Sequence, residues 1–240
     1  MRSEPALLSW SGGKDSALAL QAIREQGRDA AVRVEALVTT VTEGYERVSM
    51  HGVRRELVHA QAASIGLPLV EARIPPAASN ERYEQAMRET LAPFRSKGIG
   101  RVVFGDLFLE DVRAYRERLL ASLDMTAVLP LWGMDTGRLA RGFIALGFRA
   151  VLVCVDARQL PPALCGRELD AELLRDLPAG ADPCGERGEF HTFVFDGPVF
   201  SRPVPVRRGQ VVERDGFVFC DLLAASPEGV QTPTGASVSN

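Results

Sequence analysis

Six consecutive residues, Ser11-Gly12-Gly13-Lys14-Asp15-Ser16, carry the densest chemistry in the chain. Two adjacent glycines let a backbone fold tightly and bring its N–H groups close to an anion. Lys14 can neutralise a phosphate, and Ser9, Ser11 and Ser16 offer hydroxyl donors. Asp15 fits an anion site once a magnesium ion is added, because a carboxylate can help hold that ion beside phosphate oxygens. The string is not a Walker loop, in which Ser or Thr directly follows Gly-Lys, and it is not the dinucleotide pattern G-x-G-x-x-G. A plain strand-to-helix turn with a capping serine is the competing reading, and such a turn does not require this string.

A second dense segment lies far downstream: Asp182-Pro183-Cys184-Gly185-Glu186-Arg187-Gly188-Glu189-Phe190-His191-Thr192-Phe193. Glu186 and Glu189 can bind an amine, ammonium or magnesium, and His191 can relay protons near neutral pH. Taken by itself, the segment reads more simply as a polar loop before a strand.

The elements that must position these residues alternate. Apolar runs at 6–8, 32–41, 67–74, 101–105 and 126–131 predict strands, and helical spacing at 16–25, 53–65, 80–97 and 110–123 predicts helices between them, with Ser79 as a cap. A helix at 136–146 and a strand at 150–155 continue the alternation. Strand-helix-strand units of this kind imply a doubly wound parallel sheet covered on both faces, with ligands at the carboxyl ends of its strands. Ser11 to Ser16 falls at the first such end. Asp106 ends the fourth strand at the same edge, which marks it for the site. Tyr45 and His51 lie in the loop after the second strand, where a site border and a plain surface loop are equal readings. Arg113, Arg116 and Arg118 can bind an acidic substrate but read more simply as a solvated helix face, and Trp132 reads as core.

Beyond about residue 160 proline and glycine punctuate the chain, and β segments are expected at 191–195, 204–206 and 217–222. Turns are expected at Asp196-Gly197-Pro198, Arg208-Gly209 and Asp215-Gly216. Residues 226–240 hold few apolar side chains and read as a mobile tail.

Composition bounds the possible functions. The chain has 240 residues, 46% hydrophobic and 25% charged, which is the balance of a globular protein with a sizeable core. A net charge of −3 argues against a general nucleic-acid binder. No apolar run reaches the roughly 20 residues of a membrane helix, and no secretory signal is visible, so a cytoplasmic placement is expected. Cys154, Cys165, Cys184 and Cys220 form no C-x-x-C pair and read as reduced thiols.

The string 11–16 resembles the PP-loop of the N-type ATP pyrophosphatases. Together with Gly185-Glu186-Arg187-Gly188-Glu189-Phe190-His191-Thr192, followed by Asp196-Gly197-Pro198, it resembles the diphthine–ammonia ligase family within that superfamily. Gly105-Asp106, the charged helix after it and Leu129-Pro130-Leu131-Trp132 fit as well, so the resemblance spans about residues 6–206. It implies a PP-loop ATP-binding domain at 1–132, with a five-stranded Rossmann-like sheet, and a smaller α+β substrate-binding domain at 133–225. It implies ATP and Mg2+ as cofactors, with adenylation of a carboxylate, release of pyrophosphate and attack by ammonia. By the same resemblance Ser9, Ser11, Gly12, Gly13, Lys14, Asp15 and Ser16 bind the nucleotide, and Asp15 helps hold the magnesium. Lys14, Asp15, Glu186 and Glu189 are the catalytic candidates. Asp106, Gly185, Gly188, His191 and Thr192 border the substrate. In the family's named members the carboxylate belongs to diphthine; here diphthine and another carboxylate both stay open, as do a monomer and a homodimer. Another PP-loop enzyme such as a thiolase, and a non-catalytic ATP-binding module, remain the alternatives.

Overall fold

The structure, a computed structural model, describes residues 3–48 and 52–225. His51 and the tail at 226–240 lie outside the described residues.

The apolar run after the N-terminus forms β1 (Glu4–Ser9), and the glycine-rich loop leads into α1 (Lys14–Glu25). Next come β2 (Val32–Thr42), the short β3 (Arg47–Val48), α2 (Arg55–Ile65), β4 (Leu69–Ile74) and α3 (Asn80–Ser96). Ser79 caps α3, its hydroxyl accepting the Arg82 N–H at 3.5 Å. Then follow β5 (Arg101–Val103), α4 (Glu110–Ala121) and β6 (Thr126–Val128). β1, β2, β4, β5 and β6 pair in parallel, in the spatial order β4-β2-β1-β5-β6. This is the five-stranded doubly wound sheet expected from the alternation. Side chains alternate between its faces as the pleat requires. Leu7, Ala36, Val38 and Val102 meet α3 and α4 on one face, while Ala6, Leu8 and Leu37 meet α1 and α2 on the other. A sixth, antiparallel strand was not foreseen: β3 pairs with Val41 and Thr42, which extend β2 beyond the end of β1.

The second sheet is antiparallel, in the order β8-β7-β10-β9. Its strands are β7 (Arg149–Asp156), β8 (Phe190–Asp196), β9 (Val206–Arg214) and β10 (Phe217–Ala224), preceded by α5 (Thr136–Ala145) and interrupted by α6 (Ala171–Asp176). The strand expected at 150–155 therefore does not extend the parallel sheet; β7 pairs with β8 and β10 in antiparallel sense. Asp215 and Gly216 form the β9–β10 turn, both at positive φ. Arg208 and Gly209 do not turn. They lie within β9, at a register shift opposite Asp221, and a Cβ on Gly209 would stand 3.2 Å from the Asp221 carbonyl oxygen. That is a β-bulge, the other use of a strand glycine. One core joins the two sheets, with Leu8 and Trp10 packed into the same cluster as Phe190 and Phe193.

Candidate active site

The loop between β1 and α1 lies at the carboxyl edge of the parallel sheet and rests on β8. β8 is an edge strand, so its outer backbone groups need partners. The loop meets one of these groups and a β8 side chain. The Val194 N–H donates to Gly12 O at 2.9 Å, and the Lys14 N–H donates to Thr192 Oγ1 at 3.1 Å. Gln61 of α2 completes the joint: its Nε2 donates to Gly12 O at 3.0 Å and to Val194 O at 2.6 Å, and its Oε1 accepts the Trp10 indole N–H at 2.9 Å. Gly12 has φ +80, and a Cβ there would meet Gln61 Oε1 at 2.8 Å. Both glycines of the string are thus packed on neighbours as well as turned for an anion.

Within the loop, Ser11 Oγ accepts the Gly13 N–H at 3.2 Å and the Ser16 hydroxyl donates to Gly13 O at 2.9 Å. The Asp15 and Ser16 amides sit in the first turn of α1, where an N–H has no intrahelical acceptor and the helix dipole favours an anion. The Lys14 side chain is 4% exposed, and its ammonium lies 2.8 Å from Asp15 Oδ2. Burial works to lower the Lys14 pKa, but the surrounding groups, Asp15 first among them and then Cys184 and Glu186, together outweigh it and hold the amine protonated above its usual range.

The facing wall comes from the end of β5. A Cβ on Gly105 would fall 2.6 Å from the Asp15 backbone, so only glycine lets the chain leaving β5 approach the start of α1 this closely. Asp106 follows, and both its oxygens bond the Arg116 guanidinium of α4. Next the Leu107 N–H donates to Glu186 Oε1 at 2.8 Å, which carries the wall onto the downstream segment. Burial raises the Glu186 carboxyl to about 7; the Leu107 N–H opposes the shift and the nearby Asp15 adds to it.

These walls enclose a cleft of about 220 Å³. Ser9 lines it with Ser11, Gly13, Lys14, Asp15 and Ser16 of the first string, and Asp106, Arg116, Gly185, Glu186, Gly188, His191 and Thr192 are among the other lining residues. Gly12 is turned toward Gln61 and β8. Glu189 is also set apart: it is 2% exposed, and its two oxygens accept the Asp182 and Arg187 N–H groups, each at 2.9 Å. It clasps the ends of its own loop. Asp182, also buried, accepts the Cys184 N–H at 2.8 Å and the Thr136 hydroxyl at 2.9 Å, which fastens the loop to the start of α5. A larger cavity, about 610 Å³, is lined by Tyr45, Arg54 and His59 among others and shares no residue with the cleft. Its arginines are already paired with Asp221, Glu46 and Glu71.

Gln61 and Asp182 carry no assigned role in the sequence reading, and Arg116 reads there first as a solvated helix face. Gln61 had a signal: it interrupts the apolar stripe Leu57, Val58, Ala62, Ile65 on the buried face of α2, and a buried polar side chain must have partners.

The Glu186 shift makes a stability prediction. Its folded pKa lies above the ordinary 4.5, so protonation favours the folded state. That contribution is complete below about pH 4.5 and is lost as the pH rises through about 7. Glu186→Gln removes the loss. In urea titrations the variant gains on wild type between about pH 5 and about pH 7.5; a pH-independent difference would contradict the assignment.

A parallel sheet with a glycine-rich, lysine-bearing loop at the end of its central strand defines a Rossmann-like fold of the PP-loop kind. Comparison with known families narrows this. The diphthamide synthase N-terminal domain matches residues 4–126 and the diphthamide synthase C-terminal domain matches residues 135–222, and the chain belongs to this family. It is 25% identical over 229 residues to a diphthine–ammonia ligase of Schizosaccharomyces pombe, covering 88% of this chain and 38% of that protein. It is 29% identical over 126 residues to the Danio rerio diphthine–ammonia ligase, covering 50% of this chain and 49% of that one. The Mus musculus diphthine–ammonia ligase is 24% identical over 186 residues, 75% of this chain and 70% of its own length. The chain thus spans less than half the length of the first two relatives. Among the described residues, no helix is long and apolar enough to cross a membrane.

Proposed function

We propose that this chain is an ATP-dependent, AMP-forming amide ligase: a carboxylate is adenylated, pyrophosphate leaves, and ammonia displaces AMP. The observation that carries this reading is the cleft that the Ser11–Ser16 loop and the Gly185–Thr192 segment line together. The diphthine–ammonia ligase relatives support it.

The residues divide the work by chemistry. The Asp15 and Ser16 amides, the serine hydroxyls and the Lys14 ammonium bind the β- and γ-phosphates. A carboxylate oxygen of the acceptor attacks the α-phosphorus, and the bond from that phosphorus to the bridging oxygen breaks. Pyrophosphate leaves with its new charge against Lys14. Ammonia then attacks the acyl carbon, the acyl–oxygen bond breaks to free AMP, and the nitrogen gives up a proton. Glu186, with its carboxyl near 7, is matched to accept that proton at neutral pH. Asp15 suits a magnesium ion: its Oδ1 is buried and has no hydrogen-bond partner among the described residues. Magnesium is commonly held by one or two carboxylates and the substrate's own phosphates, and would supply charge neutralisation there.

On this reading residues 133–225 present the acceptor, and the cytoplasm is the working compartment. Diphthine on elongation factor 2 is the first acceptor to test. Sulfur transfer fits less well, because all four cysteines are buried and burial raises the Cys154, Cys165 and Cys184 thiols to about 12. The test supplies ATP, magnesium, ammonium chloride and either diphthine-bearing elongation factor 2 or a panel of small carboxylates. Formation of AMP and pyrophosphate in step with amide supports the ligase. Release of ADP and phosphate would overturn it.

A further inference from the structure

We infer that Arg116 receives the α-phosphate of the bound nucleotide. The inference rests on the ATP-cleaving reading above and adds a residue to it. Arg116 belongs to a charged helix whose arginines read as a solvated face, but its guanidinium is turned inward. The side chain is 26% exposed and lines the same cleft as Lys14, Asp15 and Glu186.

The guanidinium is held in one orientation. Asp106 takes its Nε edge, with Nε donating to Oδ2 and Nη2 donating to Oδ1 at 3.0 Å. Its carbon lies 4.4 Å from the centroid of the Phe104 ring. A guanidinium has five N–H donors and can grip an oxyanion along its side or across its two terminal nitrogens. The side grip belongs to Asp106. No acceptor among the described residues meets the Nη1 hydrogens, so the terminal grip is left for a ligand. Asp106 itself is tied to the loop, because Gly105 packs directly on the Asp15 backbone. The second cation of the cleft is therefore fixed relative to the first.

Connectivity selects the ligand. If the loop holds the pyrophosphate end, the α-phosphate is one bridging oxygen away and must lie inside the cleft. A free carboxylate would instead have to settle on a wall that already carries Asp106 and Glu186. A guanidinium preset at the α-phosphate also stabilises the charge on its oxygens during displacement, at no cost in reorganisation.

The experiment compares AMP with adenosine by calorimetry on the full chain, since the pair differs only in that phosphate. Wild type binds AMP more tightly than adenosine. Arg116→Gln loses about tenfold or more of the AMP affinity, the scale of one charged hydrogen-bonded contact, and keeps its adenosine affinity. Arg116→Lys keeps a cation beside Asp106 but not the fork, and loses several-fold for AMP alone; it decides the matter if the glutamine variant does not fold. Equal losses for both ligands, or none for either, would overturn the inference. So would unchanged AMP affinity with a raised carboxylate requirement, which would place Arg116 on the acceptor. Pyrophosphate release from ATP, measured alongside in the presence of magnesium, ammonium chloride and the same acceptors, separates the two readings. Release without an AMP–adenosine contrast sinks Arg116 alone, and a contrast without release sinks the ligase.

Discussion

Lys14→Ala lowers pyrophosphate release from ATP by about 10²–10³-fold, the size of effect seen when one preset charge is removed from a transition state. The ammonium is fixed at 2.8 Å from Asp15 in a position only 4% exposed, so no water-borne cation replaces it cheaply. The fold should survive the change. Burial already pushes the Asp15 carboxyl upward, and without Lys14 it takes up a proton instead of remaining an unpaired buried charge. A pyrophosphate-coupled assay beside a thermal melt checks both halves. A near-wild-type rate in a folded variant would remove Lys14 from the reaction.

Gln61→Leu destabilises the protein by about 2–4 kcal/mol, the range for stranding buried polar groups, and weakens nucleotide binding along with it. Gln61 has no exposed surface and makes three hydrogen bonds. Leucine fills the space but leaves the Trp10 indole N–H and the Val194 carbonyl without their partner. Gly12 O keeps the Val194 N–H, so the joint loosens and does not part. Gln85, exposed and bonded only to Glu89, is the control; its leucine variant should change stability by less than about 0.5 kcal/mol. Equal denaturant midpoints for the two variants would contradict this account of Gln61.

The parallel sheet is legible in the sequence because its strands and helices differ in hydrophobic period and are separated by glycine and proline. The Ser11–Ser16 loop is legible because phosphate chemistry confines its residue types to one short string. β7 reads as another parallel strand because it is buried on both faces from Ala150 to Asp156, and a fully buried run does not reveal the sense of its pairing. Gly209 reads as a turn because bulge and turn ask the same of a glycine. α6 is only six residues long, too short to show a helical period. Arg116 resembles its neighbours Arg113 and Arg118 in sequence; its pairing with Asp106 on the cleft wall distinguishes it. Glu189 is conspicuous in its motif, yet its oxygens serve the backbone of its own loop.

The bond from the Lys14 N–H to Thr192 joins residues 178 positions apart, and this bears on how the protein is made. On the ribosome, the first strand and the first helix can form early from local sequence. The nucleotide loop between them lacks its final supports until β8 has emerged and docked. A nascent chain that stops short of β8 would carry the full signature string and every strand of the parallel sheet, without the β8 contacts that set the loop's shape. Competence to bind nucleotide is therefore acquired late, as an effect of closing the chain on itself.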